Sequence, residues 1–163
     1  MRGGGNCVKI PALTLWQPWA SLVAVGAKKI ETRSWSTSYR GPLAIHAAKT
    51  FTREARTLCL EESFQAMLYN AGINSKNKLP LRFGSILCIC RLVDCVKVEQ
   101  TDGLMAWLER GYVANDYEYS FGDYTPGRYA WILNDVRRLP EPIPAKGRQG
   151  LWYWEVPEGV LLP

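Results

Sequence analysis

The sequence predicts an α+β domain, a small barrel of five to six strands with two to three flanking helices. Three observations lead there. Short runs rich in Val, Ile, Leu and Trp recur along the chain between turns that carry Gly and Pro, as strands and their connections do. The run 83–98 is apolar on both parities for most of its length, which marks a strand buried on both faces at the centre of a curved sheet. Two or three other segments instead space their apolar residues at helical intervals.

The elements follow in order. Residues 8–15 alternate loosely and form a first strand. Pro18 suits the first turn of a helix whose apolar side is Trp19, Leu22, Val23 and Val25. Gly26 is placed to end it, because the position after a helix often needs positive φ. A second strand runs through Glu31 and Arg33 to about Trp35, and residues 36–42 make a turn. A third strand, 43–48, ends at Lys49. Thr50 or Thr52 caps a helix reaching about Asn70, with Ala55, Leu58, Cys59, Phe64, Met67 and Leu68 on its apolar side. Residues 71–80 are a polar loop. Residues 103–110 are expected as a short helix, 115–128 as a looser acidic and aromatic segment, and 129–136 as a strand. Pro140, Pro142 and Pro144 stiffen an extended connector before a last strand at 151–156.

The 163 residues fit a single domain, 1–163, with 1–7 read as a polar, flexible leader. A net charge of +5 and a pI near 9.0 favour anionic partners, nucleic acid or nucleotide first. Five cysteines, an odd number with no signal peptide before them, suggest a cytoplasmic protein with reduced thiols. No apolar run reaches the ~18 residues that span a bilayer. One histidine and no CxxC pair leave no metal and no cofactor expected. A monomer is expected.

One stretch, 26–35, concentrates chemistry. It holds Lys28, Lys29, Glu31 and Arg33 within six residues. In a strand Glu31 and Arg33 share a face, and Lys28 at the preceding turn can swing toward them. A carboxylate flanked by two cations suits proton transfer or recognition of a polar planar ligand; a surface ion pair is the alternative. Spacing alone leaves open whether Lys28 or Lys29 turns inward.

Three pieces resemble the ASCH family, a branch of the PUA-like superfamily of small RNA-binding β-barrels. They are Leu15-Trp-Gln-Pro-Trp-Ala followed by Gly26-x-Lys28-x-x-Glu31-x-Arg33-x-Trp35; the stretch Arg40 to Lys49; and Phe121 to Trp131 with Gly147 to Trp152 after it. The resemblance implies a PUA-like barrel with a cleft lined by the GxKxxExR segment, where a nucleobase or RNA strand enters. It further implies chemistry known in short bacterial members, the hydrolysis of N4-acetylcytidine by a lysine, a hydroxyl three residues later and a distant glutamate. Here the lysine is Lys28, but the hydroxyl position is Glu31, with Thr32 one residue on.

On that basis Glu31 is expected as general base and Lys28 as oxyanion stabiliser or proton donor, with Glu118, or else Asp123, as the distant carboxylate. Substrate contacts are expected from Arg33, Trp16, Gln17, Trp19, Trp35, Tyr39, Lys49 and Arg128. His46 is read as a satisfied core histidine more readily than as a base. Lys146, Arg148 and Gln149 meet phosphate or form a solvated rim. The leading expectation is an amidohydrolase acting on N4-acylated cytidine or a related nucleoside. The alternatives are a non-catalytic module for RNA, single-stranded DNA or a modified base, and a ribonuclease.

Overall fold

The computed structural model describes residues 7–73 and 80–163. The elements are β1 (Lys9–Leu15), α1 (Trp19–Ala24), β2 (Ile30–Arg33), β3 (Gly41–Ala47), α2 (Arg53–Leu60), α3 (Glu62–Asn70), β4 (Ser85–Thr101), β5 (Ala106–Leu108), β6 (Val113–Ala114), α4 (Asp116–Ser120), β7 (Tyr129–Pro144) and β8 (Leu151–Glu155). The main path of the sheet runs β2-β7-β4-β3-β1-β8, with β5 and β6 continuing from β4. Every described pairing is antiparallel except β1 with β3. The α+β class expected from the sequence is the fold, and the expected small barrel takes the form of a curled half-barrel. It has eight strands and four α-helices among the described residues, in place of five to six and two to three. All but Cys7 of the expected leader 1–7, and residues 74–79 of the 71–80 loop, lie outside them.

The 17-residue strand β4 explains the curl. Its first six residues are buried on both faces, after which exposed and buried positions alternate. Register shifts against β7 at Ile86/Cys88, Ile89/Arg91 and Leu92/Asp94 bend the pair. α1 fills the concavity: Ala20, Val23 and Ala24 pack with Leu13, Leu43, Ile45, Cys88, Leu92 and Trp131 in one core. Within that core burial raises the Cys88 thiol well above its usual value and pushes Cys90 up to about 12, so both are inert.

Three expectations change. The 103–110 segment is β5 followed by a single 3₁₀ turn rather than a helix. Ala106 and Leu108 are buried with Trp107 between them, a period of two that pairing with Val98–Thr101 on the overhanging end of β4 selects. The helix expected from Thr52 to Asn70 breaks at Glu61, whose ψ of 130° is extended. Thr52 is its cap, accepting from the Ala55 amide at 3.1 Å. The proline-rich connector belongs to β7, since Ile86 and Ser85 still pair with Ile143 and Pro144. β2 pairs with residues 129–132, and the Lys29 carbonyl still accepts from the Leu133 amide. Among the described residues no strand pairs with that side of β7 further on, where a missing N–H costs little.

Candidate functional site

β2 enters the site already clamped. Gly26 leaves α1 with φ of 80°, and the amides of Ala27 and Lys28 both donate to the Leu22 carbonyl at 3.0 Å. The next two amides meet a side chain from α4: Lys29 N–H donates to Glu118 Oε2 at 2.8 Å and Ile30 N–H to Oε1 at 3.0 Å. Both oxygens of Glu118 are thereby occupied at the start of the strand. Burial raises its pKa, opposed by the charge of Lys28 and by the two amides.

Lys28 is the lysine that turns inward, at 1% exposure. Its ammonium donates to the Ile30 carbonyl and lies 3.5 Å from Glu31 Oε2. Arg33 NH1 lies 3.6 Å from Glu31 Oε1 on the other side, and its guanidinium covers the Trp35 ring at 5.8 Å. Trp35 in turn meets Trp131 edge-on with ring centres 4.7 Å apart. Glu31 therefore sits between two cations on a rigid strand, paired opposite Trp131 in β7. Next to this group Tyr124, 3% exposed, has a buried hydroxyl without a hydrogen-bond partner among the described residues. Burial raises its pKa first, and the charges of Glu118 and Glu31 add to that.

Glu31 and Arg33 line a cleft of about 1720 Å³. A typical small-molecule site measures roughly 300–1,000 Å³, so this one has room for several linked units. Its walls bring together Trp16, Trp19, Trp35 and Phe83 with Lys49, Arg128, Lys146 and Arg148. Trp16 is 57% exposed and Phe83 37%. The acids on the wall already have cationic partners: Glu31 as above, and Asp123 with Arg128 Nε at 3.5 Å. Hydrogen bonding to Thr125, then the Arg128 charge, keeps Asp123 below the usual carboxylate range despite some burial. Among the described residues no ion pair forms at Lys49, Lys146 or Arg148, so the cleft presents excess positive charge.

The far wall is a loop seated on the barrel. Trp152 Nε1 donates to Thr14 Oγ1 at 3.1 Å, Thr14 Oγ1 lies 3.2 Å from His46 Nδ1, and His46 Nε2 lies 2.8 Å from the Ala145 carbonyl. A carbonyl only accepts, so Nε2 carries the proton and Nδ1 takes the Thr14 hydroxyl. Burial lowers the His46 pKa, partly offset by the Ala145 bond. Gly147 lies flat against this pair. A Cβ there would come within 2.5 Å of His46 Cε1 and 2.8 Å of Thr14 Oγ1. Lys146, Arg148 and Gln149 thus stand on a loop whose backbone position is dictated by His46.

Of the residues expected to act, Glu31, Arg33, Trp16, Trp19, Trp35, Lys49, Asp123 and Arg128 meet on the cleft. Four do not line it. Gln17 is fully buried and caps α1 instead, with Oε1 accepting from Ser21 N at 3.0 Å and Nε2 donating to Ser21 Oγ and to the Arg82 carbonyl. The Tyr39 hydroxyl donates to the Pro42 carbonyl at 2.6 Å, closing the turn before β3. Glu118 holds backbone, and Lys28 stands behind Glu31. Arg128 is partly occupied in bracing, with NH2 donating to the Thr32 carbonyl at 3.2 Å. Sequence reasoning missed Thr14 and Phe83 as wall residues; only tertiary packing turns them inward.

A model of the ASCH domain matches residues 13–142. Activating signal cointegrator 1 of Homo sapiens is 33% identical over 152 residues, and that of Mus musculus 26% identical over 152 residues. Each alignment covers 91% of this chain and 22% of the relative, so the chain spans about a fifth of the length of these curated relatives.

Proposed function

The chain belongs to the ASCH domain family, a PUA-like fold, and from that premise we propose that it is a binding domain for single-stranded RNA that seats a base over Glu31 and Arg33. One observation carries this reading: a cleft larger than a nucleoside needs combines accessible aromatic rings with cations that have no acidic partner among the described residues. Rings stack on bases without regard to sequence, and lysine and arginine meet the phosphates between them. Lys49, Lys146 and Arg148 are the phosphate contacts; Trp16 and Phe83 are the stacking faces.

Counterion release supplies the test. Three phosphate contacts on a single strand give log K against log salt a slope of about −2, at roughly −0.7 per contact. Fluorescence anisotropy of a labelled oligomer of about ten nucleotides, titrated over roughly 50–200 mM salt, reads that slope. Replacing the three cations by alanine is expected to flatten it. Absence of binding at the lowest salt, or a slope indifferent to the triple substitution, rules the reading out.

A second reading is hydrolysis of the exocyclic amide of an N4-acylated cytidine. It is favoured by a carboxylate, Glu31, on the cleft wall, from which water can be activated. Lys28 then acts through Glu31 and not on the oxyanion, because its ammonium faces the Ile30 carbonyl. Incubation with N4-acetylcytidine, followed by chromatography, should yield cytidine with the wild type and none with Glu31→Gln. Unchanged substrate after hours removes this reading and leaves the binding one standing. A denaturing gel of the RNA from the binding assay tests the ribonuclease alternative.

A further inference from the structure

We propose that the cleft selects guanine, reading the N1–H and N2–H₂ donors of its Watson–Crick edge with the two oxygens of Glu31. The inference rests on the RNA-binding reading above and deepens it. Glu31 is unlike Asp94, the other buried acid, and unlike the half-buried Glu118. Asp94 accepts from the Cys95 amide at 2.9 Å and from Arg110 at 2.6 Å, and Glu118 accepts two backbone amides. Glu31 is 9% exposed, yet among the described residues it accepts no hydrogen bond. Its cations stand at 3.5 and 3.6 Å, beyond the roughly 2.7–2.9 Å of a charge-assisted hydrogen bond. Buried carboxylates ordinarily fill their lone pairs. Those of Glu31 are left for whatever occupies the cleft that it lines.

The donor count then discriminates among bases. A carboxylate presents two acceptors side by side, and guanine alone of the four bases presents two adjacent N–H donors on one edge. Adenine and cytosine each offer one amino group next to ring acceptors. Uracil places its single N–H between two carbonyls, whose oxygens would face the carboxylate. Guanine's third Watson–Crick group, O6, is an acceptor, and Arg33 stands on the same carboxylate to donate to it. The contact of Arg33 with the Trp35 ring holds that donor on the cleft wall.

The experiment uses the full chain and five uridine-rich oligomers alike except for a central G, inosine, A, C or U. Inosine keeps N1–H and O6 and lacks only the 2-amino group. Anisotropy at one salt concentration should rank G at least tenfold above A, C and U, within what bidentate reading of a base edge gives. Inosine should lose most of that advantage. Glu31→Gln, which replaces one acceptor by a donor, should bring the G oligomer down to the level of the others. Equal affinity for all five, preference for another base, or inosine binding as well as guanine would overturn the proposal even if RNA binding itself holds. If none of the five binds, the RNA-binding reading fails and this one with it. The inosine comparison uses unaltered protein, so the test survives a variant that does not fold.

Discussion

The ammonium of Lys28 lies 3.5 Å from the carboxylate of Glu31, and of the two only Glu31 reaches the cleft. Lys28 is thus the inner half of a buried pair whose outer half faces the cleft. It sets the position and charge balance of Glu31 without itself lining the cleft.

Lys28→Met leaves the Glu31 carboxylate beside Arg33 alone, in a site where it is 11% exposed at the side chain. Removing one partner of a buried pair typically costs about 3–5 kcal/mol, and chemical denaturation should show a loss of about 3 kcal/mol. Adding Glu31→Gln should restore part of it, because no buried charge is then unbalanced. A single variant as stable as the wild type would mean that the pair has no structural role.

Trp16→Ala tests the stacking face. Trp16 is 57% exposed, so its removal should change stability by less than about 0.5 kcal/mol. Loss of one base–aromatic stack should weaken RNA binding by about 1–3 kcal/mol, read by anisotropy. Unaltered affinity would take Trp16 out of the interface.

Gly147→Ala should unseat the loop that carries Lys146 and Arg148. The added methyl would sit 2.5 Å from His46 Cε1 and 2.6 Å from Nδ1, closer than real contacts allow. Overpacking of this kind costs about 1–3 kcal/mol. RNA affinity should drop together with stability as the two cations move. A variant that keeps both would show that the loop backbone yields without consequence.

His46 links stability to pH. Burial lowers its folded pKa below the ordinary value of 6.5, so the folded protein binds fewer protons there than the unfolded chain. Its contribution is fully present above about pH 6.5 and is lost as pH falls through the lowered folded value. Denaturation midpoints from about pH 8 to about pH 5 should decline in the wild type and be flatter in His46→Gln. Parallel profiles would assign the acid sensitivity elsewhere.

The sequence went furthest where local chemistry decides. Gly26 at a helix end, Thr52 as a cap, the doubly buried run that became β4, and the GxKxxExR stretch with Glu31 and Arg33 on one face all follow from propensity, φ and the two-residue period of a strand. These are properties of a few neighbouring residues. The 103–110 segment shows the boundary, because its apolar spacing suits either period and pairing with β4 chose the strand.

Side-chain direction at the site was settled by contacts between residues far apart in the chain. Gln17 reads as a ligand contact until Arg82, 65 positions away, engages it, whereas Tyr39 is turned aside locally by the Pro42 carbonyl three positions on. Glu118 lies 88 and 89 positions from the amides it holds, and Ala145 lies 99 from His46. By itself the sequence determined the family, the α+β class built on a curved sheet, and the charged stretch at the cleft. Which of those charges reaches the cleft and which stands behind it was decided by tertiary structure, because the burial of Lys28 and the engagement of Glu118 depend on segments that the fold brings together from afar.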